Sequence, residues 1–478
     1  MKINKWIGSI ISCVLLVSMV GQVPTHAETN ENIMDESIYD LLVDRFFNKT
    51  VQNDFEVNTQ DPAAFAGGDF LGVLEKIPYL QKMGFTVASL GPVFSTDTYD
   101  GKRVTDYSTF ERHFGTKDEF KTFIAGAQKQ DLKLLVDFPI QQVSANHVWT
   151  KENPEWATIN DNGTLNWDMN NEEVQEAIIQ AAVEFVDEFE VDGLRITSID
   201  GVDTTFLNEM IDALKDKKEK LYVLSNAESE ADFDLTVSAK NTDLVRNAFK
   251  NVDLPTEEFG MTLDQPNMIR SVDHINERRF TADAAEENMF PPTRWKIAFA
   301  TLMSIPGVPV ITYGSEIAMN GEQAPESNQI MNYKVEEELI DYVGDLQKLR
   351  NGSAALRSGE MELLHNENGF MVFKRWNEDD TWIVAINNTG STQQFDLTEE
   401  MMGANVELRG LMESDILRQR EDGTYRIVVD REIAEFFTVN EPKGLNKGYL
   451  AALAMVYVLF LGFLYLVWRK GKQRKKDK

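Results

Sequence analysis

Short apolar runs alternate with helical segments through most of this chain. Between the runs, apolar residues recur at helical spacing, as in Val174, Ile178, Ala182 and Phe185, which is typical of a helix with one face toward a core. Seven strand candidates are clear. One more, which would be the sixth in chain order, is poorly marked and is expected within 242–252. The alternation favours an α/β fold. The clearer strand candidates are 37–43, 86–90, 133–136, 193–196, 221–224, 268–272 and 308–313.

The pattern changes after Arg350. Runs rich in β-branched and aromatic residues occur at 370–376, 382–387 and 425–429, and Asn, Asp and Gly bound them. Runs of this kind indicate antiparallel strands. We therefore expect a second, smaller β domain over 359–438.

Both ends of the chain predict export and anchoring. Residues 1–27 resemble a secretory signal, with two lysines, an apolar stretch and a small-residue cleavage site. Residues 449–468 hold no charge and would form a helix ~30 Å long, enough to cross a bilayer. The tail 469–478 carries seven cations, which favours the cytoplasmic side. We predict a single-pass protein of the cell membrane, in a bacterium of the Gram-positive type, with an extracellular ectodomain, a linker over 439–448 and a cytoplasmic C-terminus.

The net charge of the whole chain is −31. The signal and the tail contain nine of the 47 cations and one of the 78 acids, so the ectodomain carries about −39. A domain of this charge is a poor ligand for nucleic acid. The single cysteine, Cys13, lies in the signal, so a mature chain without it has no disulfide. A lipid anchor at Cys13 is the weaker alternative, because the apolar run continues beyond it.

Five segments follow one another along the chain: 38–48 (IYDLLVDRFFN), 65–79 (FAGGDFLGVLEKIPY), 105–120 (TDYSTFERHFGTKDEF), 165–174 (LNWDMNNEEV) and 305–316 (IPGVPVITYGSE). In this order they resemble glycoside hydrolase family 13, the α-amylase family. The resemblance covers about 37–438, almost the whole ectodomain, and several segments that agree in order make it specific. It implies a (β/α)8 TIM barrel over 28–358 with a short insertion after the third strand, about 139–170, and a C-terminal antiparallel β-sandwich over 359–438.

The family's chemistry uses a carboxylate nucleophile, a carboxylic acid and a third acid at the C-terminal ends of barrel strands. The matching positions here are Thr197 in GLRIT, Asn226 after LYVLS, and Asn276 in DHIN. A hydroxyl without a base is a poor nucleophile, and an amide has no proton to give. The resemblance therefore predicts a vestigial site without catalytic residues, which includes Asp273 and Gln142 at two further family positions.

The arginine of the nucleophile motif, Arg195, is retained. A buried guanidinium needs a partner, and we expect Asp137, Asp200 or Asp273 to neutralise it. The alternative is that Arg195 binds an anionic or polyhydroxylated ligand. Relocation of catalysis to Asp200, Glu228 or Asp273 is disfavoured, because catalysis tolerates misplacement of only ~1 Å.

Two further groups of residues have alternative interpretations. Asn48, Asn53, Asp54 and Asp69 resemble a calcium-binding loop of some family members, and otherwise form an Asn/Asp-rich turn. No other cofactor is expected, and no metal is expected at Gln141. Three tryptophans of the insertion could stack on sugars, but the favoured role is to anchor a loop. They are Trp149, Trp156 and Trp167.

The predicted function is that of a catalytically inactive, membrane-anchored family member that serves as an interaction or oligosaccharide-sensing module. An α-glucan and a membrane protein are the expected partners. Two alternatives are an α-glucan-acting glycosidase with a rearranged site and a protein that binds α-glucans without hydrolysis.

Overall fold

The computed structural model describes residues 32–265, 267–403, 405–412, 416–441 and 447–474. The predicted signal, 1–27, lies outside the described residues, as do half of the predicted linker and the last residues of the tail. The predicted domain boundaries stay predictions, although the chain does pass from the helix Ala354–Ser358 to a new sheet at Glu360.

Eight parallel strands form the barrel. They are hydrogen-bonded in the order β5-β4-β3-β2-β1-β8-β7-β6, and a parallel bridge between Leu224 and Leu235 joins β5 to the segment that enters β6. The (β/α)8 fold is thereby confirmed. The strands are β1 Ile38–Asp40, β2 Val87–Ser89, β3 Lys133–Pro139, β4 Gly193–Thr197, β5 Tyr222–Ser225, β6 Thr236–Val237, β7 Met268–Arg270 and β8 Val308–Thr312.

The prediction of the sixth strand within 242–252 is wrong. That segment belongs to the helix Ala239–Phe249, whose first turn is capped by the Ser238 side chain. The strand is the two-residue β6, Thr236–Val237, just before the helix. Thr242, Val245 and Phe249 are buried at helical spacing, so the apolar residues of this segment follow the helical period.

The barrel core has two layers. Alternate strand residues, such as Ile38, Leu135 and Val310, pack together in one cluster, as expected for the interior of a small barrel. A larger cluster lies between the sheet and its helices. The helices of the barrel and its loops are Val43–Phe46, Phe70–Met83, Lys117–Gln128, Trp149–Glu152, Glu172–Phe189, Thr204–Lys217, Ala239–Phe249, Glu257–Gly260, Phe280–Glu286, Pro291–Ser304, Glu338–Asn351 and Ala354–Ser358, with 3-10 turns at Ile33–Asp35, Val51–Asn53, Pro154–Trp156 and Ser315–Ile317.

Two excursions lie at the C-terminal end of the barrel. The first is a hairpin after β2, with strands Phe94–Thr96 and Val104–Phe110. The second is the insertion after β3, a three-stranded sheet of Val143–Ser144, Ala157–Ile159 and Thr164–Trp167. Both excursions stand beside the end of the barrel where family members have their active site.

The C-terminal domain is antiparallel. A six-stranded sheet in the order β9-β10-β11-β16-β13-β14 faces the two-stranded sheet β12-β15, and the buried residues of the two sheets form one cluster. The strands are β9 Glu360–Glu367, β10 Phe370–Trp376, β11 Thr381–Asn387, β12 Gln393–Leu397, β13 Glu407–Gly410, β14 Ile416–Arg418, β15 Tyr425–Val429 and β16 Ile433–Asn440, and a helical turn spans Glu399–Met402. This architecture confirms the predicted C-terminal sheet domain.

The last element is the helix Lys447–Arg474. Its stretch Leu450–Lys472 is long and apolar enough to cross a membrane, and its side chains lie outside the protein core. Length and composition are therefore compatible with the predicted span.

Candidate active-site mouth

A cavity of about 490 Å³ opens at the C-terminal ends of the barrel strands. Asp40, Asp137, Arg195 and Thr197 lie deep in it, at the ends of β1, β3 and β4, and Asn226 follows β5. Six acidic and five cationic side chains line the cavity, but none of its described lining residues is Phe, Tyr or Trp. We call this cavity the mouth. Its walls are mainly polar, with apolar contributions from residues such as Leu42, Val237 and Ile275.

Arg195 sits between two carboxylates. Its Nε and Nη2 donate to Asp137 at 2.7 and 2.9 Å, and its Nη1 and Nη2 donate to Asp40 at 3.1 and 3.0 Å. Burial acts to lower the pKa of Arg195, but the two carboxylates outweigh it and raise that pKa. Burial also raises the pKa of Asp137, although Arg195 opposes the shift. The guanidinium therefore stays charged.

Of the three acids expected to neutralise Arg195, the structure places Asp137 there. Asp40 joins it, and the sequence analysis missed this residue. The available signal was a charged residue inside the apolar run of β1, where Ile38, Tyr39 and Leu41 are all buried. Because β1 and β4 are not neighbours in the sheet, only the closed barrel brings Asp40 to Arg195.

Thr197 and Asn226, which stand where the family has its nucleophile and acid, both line the mouth. Thr197 is 8% exposed, whereas Asn226 lies exposed at the rim. The two positions at which the resemblance places a nucleophile and an acid therefore both lie at the mouth.

Asn276 is held in a network of loops beside the mouth. Its Nδ2 donates to Asp100 at 2.8 Å, and its carbonyl oxygen accepts from the side chain of Asn328. Asn328 in turn donates to the Tyr99 hydroxyl at 3.1 Å. The amide at position 276 thus joins the loops after β2, β7 and β8.

Asp273 is not among the residues that line the mouth, but its carboxylate lies 3.7 Å from Nη1 of Arg246, which does line it. Its place in the vestigial site stays a prediction. Its side chain is fully buried, accepts from the backbone of Phe280 at 2.7 Å and from Ser315 at 3.0 Å, and lies near Arg279. These partners occupy both oxygens. The residue after it, His274, does line the mouth, and burial lowers its pKa.

Asp200 and Glu228 line a different cavity, next to Thr204 and Glu230. Neither is among the residues that line the mouth. The geometry therefore gives no support to catalysis relocated to these acids.

The two glutamines after β3 have different positions. Gln141 is buried and forms two hydrogen bonds with the backbone of Trp167, donating at 3.2 Å and accepting at 2.7 Å. We call this pair of bonds the Gln141 clip. Gln142 is exposed, has a φ of 57° and is not among the residues that line the mouth.

The tryptophans of the insertion pack on one another. Trp149 lies 6.2 Å from Trp156 and 5.3 Å from Trp167 between ring centroids, and His147 packs against the same group. This packing is what loop anchors require.

The predicted calcium residues make hydrogen bonds within the protein. Asp69 caps the helix Phe70–Met83 and accepts from Gly72, Lys49 and Thr50, so both of its oxygens have donors. Asn48 donates to Asp54 at 2.7 Å. The side-chain nitrogen of buried Asn53 has no hydrogen-bond partner, but an amide nitrogen is a donor and does not ligate a cation.

Asp69 thus does not fit a cation, because its oxygens already accept three N–H groups. No cluster of three or more His, Cys, Asp or Glu suited to a metal occurs among the described residues. Calcium binding stays a prediction. It is tested by whether calcium raises the unfolding temperature of the chain and whether Asp54→Ala abolishes that rise.

Comparisons with known proteins agree with this geometry. Residues 38–162 match the model of the alpha amylase catalytic domain, and residues 359–437 match that of the alpha-amylase C-terminal domain. The chain is 24% identical over 390 residues to a cyclomaltodextrinase of Geobacillus thermopakistaniensis, covering 72% of this chain and 66% of that protein. It is 23% identical over 426 residues to a beta/alpha-amylase of Paenibacillus polymyxa, covering 78% of this chain but 35% of that larger protein.

Solved structures give the stronger likeness. The Anoxybacillus alpha-amylase superposes with a TM-score of 0.83 at 31% identity, covering 87% of this chain and all of that one. The alpha-amylase of Geobacillus thermoleovorans, solved with acarbose, gives 0.81 at 30% identity over 86% of this chain and all of that one. Barrel, mouth and C-terminal domain together place this chain in the α-amylase family, glycoside hydrolase family 13.

Proposed function

We propose that this chain is a catalytically inactive member of its family, held at the outer face of a cell membrane, where it binds or senses oligosaccharides. The observation that carries the proposal is the pair of side chains at two key positions of the mouth. A hydroxyl and an amide stand where attack and proton donation would have to begin, at Thr197 and Asn226.

The acids that remain deep in the mouth also support the proposal. Each oxygen of Asp40 and of Asp137 accepts an N–H from Arg195. Both carboxylates are therefore held in place by the fork of the guanidinium, and every one of their oxygens already has a donor.

Activity assays test this proposal directly. The full chain, purified in detergent, is incubated with maltoheptaose, a cyclomaltodextrin and an aryl α-glucoside, with an active family member as the positive control. We expect no products above the rate without protein. Turnover that survives repeated purification and disappears on substitution within the mouth would contradict the proposal.

A glycosidase with a rearranged site is the second candidate, and one observation favours it. Arg195, which in the family pairs with the nucleophile, here holds Asp40 and Asp137 in the same cavity. If turnover is found, this candidate predicts that Asp137→Asn and Asp40→Asn each abolish it, whereas Glu228→Gln leaves it unchanged. Equal activity in all three variants would exclude these two acids.

The glucan part of the proposal is supported by what relatives bind. One structural relative was solved with acarbose and another with maltose. Calorimetric titration of the full chain with maltoheptaose is expected to give heat at millimolar ligand without hydrolysis. A flat titration would leave only the interaction role, with a protein partner.

A further inference from the structure

A second cavity of about 510 Å³ lies on the other side of the hairpin after β2. Asp97, at the tip of that hairpin, lines this cavity, whereas Asp100 and Lys102 line the mouth. The hairpin tip therefore separates the two. We call the second cavity the Phe55 groove, after the aromatic residue on its rim.

The Phe55 groove has the aromatic rings that the mouth does not have. Phe55, Phe65 and Phe110 all line it, and the Phe55 side chain is 42% exposed. A single exposed phenylalanine is common on protein surfaces and would not by itself indicate a site. What distinguishes Phe55 is the structure beneath it.

A buried acid–histidine pair holds the backbone of Phe55. Nε2 of His113 lies 2.6 Å from the Phe55 carbonyl oxygen, and its Nδ1 is hydrogen-bonded to Glu111. Glu111 and His113 are 3% and 5% exposed. Burying such a pair carries a desolvation cost that simple loop closure does not require.

The floor of the groove contacts the same buried pair. The Phe65 ring stacks on the His113 ring, with centroids 3.7 Å apart and planes at 9°. The second oxygen of Glu111 accepts from the backbone of Thr96 at 3.0 Å, which joins the floor to the hairpin. One buried pair therefore fixes the loop that carries Phe55, the floor and the hairpin wall together.

Two exposed charged side chains, Arg112 and Glu56, stand at the rim. The Arg112 guanidinium lies 4.9 Å from the centroid of the Phe55 ring and 3.8 Å from Glu56, whose side chain is 91% exposed. An ion pair this exposed contributes little to stability. Its groups can exchange their mutual contact for hydrogen bonds to a ligand.

These features match the chemistry of a sugar. An apolar ring can pack on the C–H face of a pyranose, while a guanidinium and a carboxylate bind pairs of hydroxyl groups. The volume lies within the usual range for small-ligand sites. We propose that the Phe55 groove, and not the mouth, binds a neutral hexopyranose oligosaccharide. This inference rests on the proposed oligosaccharide-binding function and assigns it to a place.

The test is a titration of the full chain, in detergent micelles, with maltoheptaose. We expect Phe55→Ala to weaken binding about tenfold, since an aromatic contact of this kind is lost. Phe290→Ala is the matched control, because Phe290 is 69% exposed but is not among the residues that line the groove. That variant is expected to bind like the wild type.

A variant of the mouth separates this inference from the proposed function. Lys102→Ala combined with Asn226→Ala changes two residues that line the mouth. Binding retained in this double variant but weakened in Phe55→Ala supports the groove. Binding lost in the double variant and unchanged in Phe55→Ala overturns the inference while oligosaccharide binding stands. No binding to the wild type overturns both.

Discussion

At the scale of single residues, the polar side chains of the mouth are matched as pairs of donors and acceptors. The Asn276 amide donates to Asp100, and Arg195 is already neutralised by Asp40 and Asp137. Returning one residue to an acid would therefore set carboxylates against each other. For the same reason, we do not expect Thr197→Asp alone to restore a nucleophile.

The pair at positions 276 and 100 gives a direct test. Asn276→Asp should lower the free energy of unfolding by about 1 kcal/mol, because a half-buried donor is replaced by a second acceptor. The swap Asn276→Asp with Asp100→Asn restores one donor and one acceptor, and should recover most of the loss. Thermal and urea unfolding of the three proteins measure this. Additive effects of the two substitutions would show that the pair does not interact.

Buried His147 should make the stability of the folded protein depend on pH. Burial lowers its pKa to about 4, from an ordinary value of 6.5. Because the folded state favours the neutral imidazole, the contribution of His147 to the free energy of unfolding is complete above pH 6.5. It is lost as the pH falls toward 4. This amounts to at most about 3 kcal/mol. His147→Gln, which keeps an acceptor for the Trp149 N–H, should show a smaller loss of stability between pH 7 and pH 4.5 than the wild type. Equal losses would contradict the assignment.

The sequence predicted the residues of this site better than their contacts. Thr197, Asn226 and Arg195 occupy the mouth because each follows a clear strand motif. Asp40 was missed because its contact with Arg195 spans 155 positions in the chain. The contacts of Asp273 were also not predicted, since a family position does not reveal that Ser315 and Phe280 donate to its carboxylate.

At the scale of elements, the insertion after β3 is fixed to the barrel by protein contacts. The Gln141 clip joins the end of β3 to the strand Thr164–Trp167, and the Tyr107 hydroxyl donates to the Pro139 carbonyl at 2.6 Å. Within the insertion, the rings of Trp149 and Trp167 pack against each other. The sequence predicted a short insertion after β3, but a side-chain amide that takes the place of backbone pairing leaves no recognisable sequence pattern.

Removal of the Gln141 clip should loosen the insertion selectively. Gln141→Ala leaves the buried backbone groups of Trp167 without partners, at a cost of about 1–3 kcal/mol. Limited proteolysis is then expected to cut within 143–167 faster than in the wild type. Gln142→Asn is the control, since Asn also tolerates the positive φ of that exposed position. The expectation fails if both variants are cut at the same rate.

The sixth strand shows a different limit of sequence patterns. β6 has only two residues, and the helix that follows it has the longer apolar series. A strand of that length contains no alternation to detect. The other barrel strands were found because they are longer or are bounded by stronger motifs.

At the scale of the whole molecule, only a short segment separates the C-terminal domain from the apolar helix. The last described strand ends at Asn440, and the apolar helix begins at Lys447. Six residues separate them, which span at most ~25 Å when extended. If that helix crosses a membrane, the C-terminal domain lies close to the bilayer surface.

Labelling of introduced cysteines tests this topology. The sequence has one cysteine, Cys13, within the predicted signal, so new cysteines can be read without background once the signal is removed. We expect Glu421→Cys to react with a membrane-impermeant maleimide on intact cells. Lys472→Cys should react only after permeabilisation. Labelling of both sites on intact cells would contradict a cytoplasmic tail.

The short β6 has a consequence for how the mouth moves. On the side toward β5, the described ring of strands is closed by the bridge at Leu224 and Leu235 and by two backbone hydrogen bonds, from Ser225 and Asp234. So few bonds open more readily than a full ladder, and amide protons exchange first where opening is frequent. Asn226 comes directly after β5. We therefore expect the side of the mouth that carries Asn226 to open locally more often than the side around Arg195.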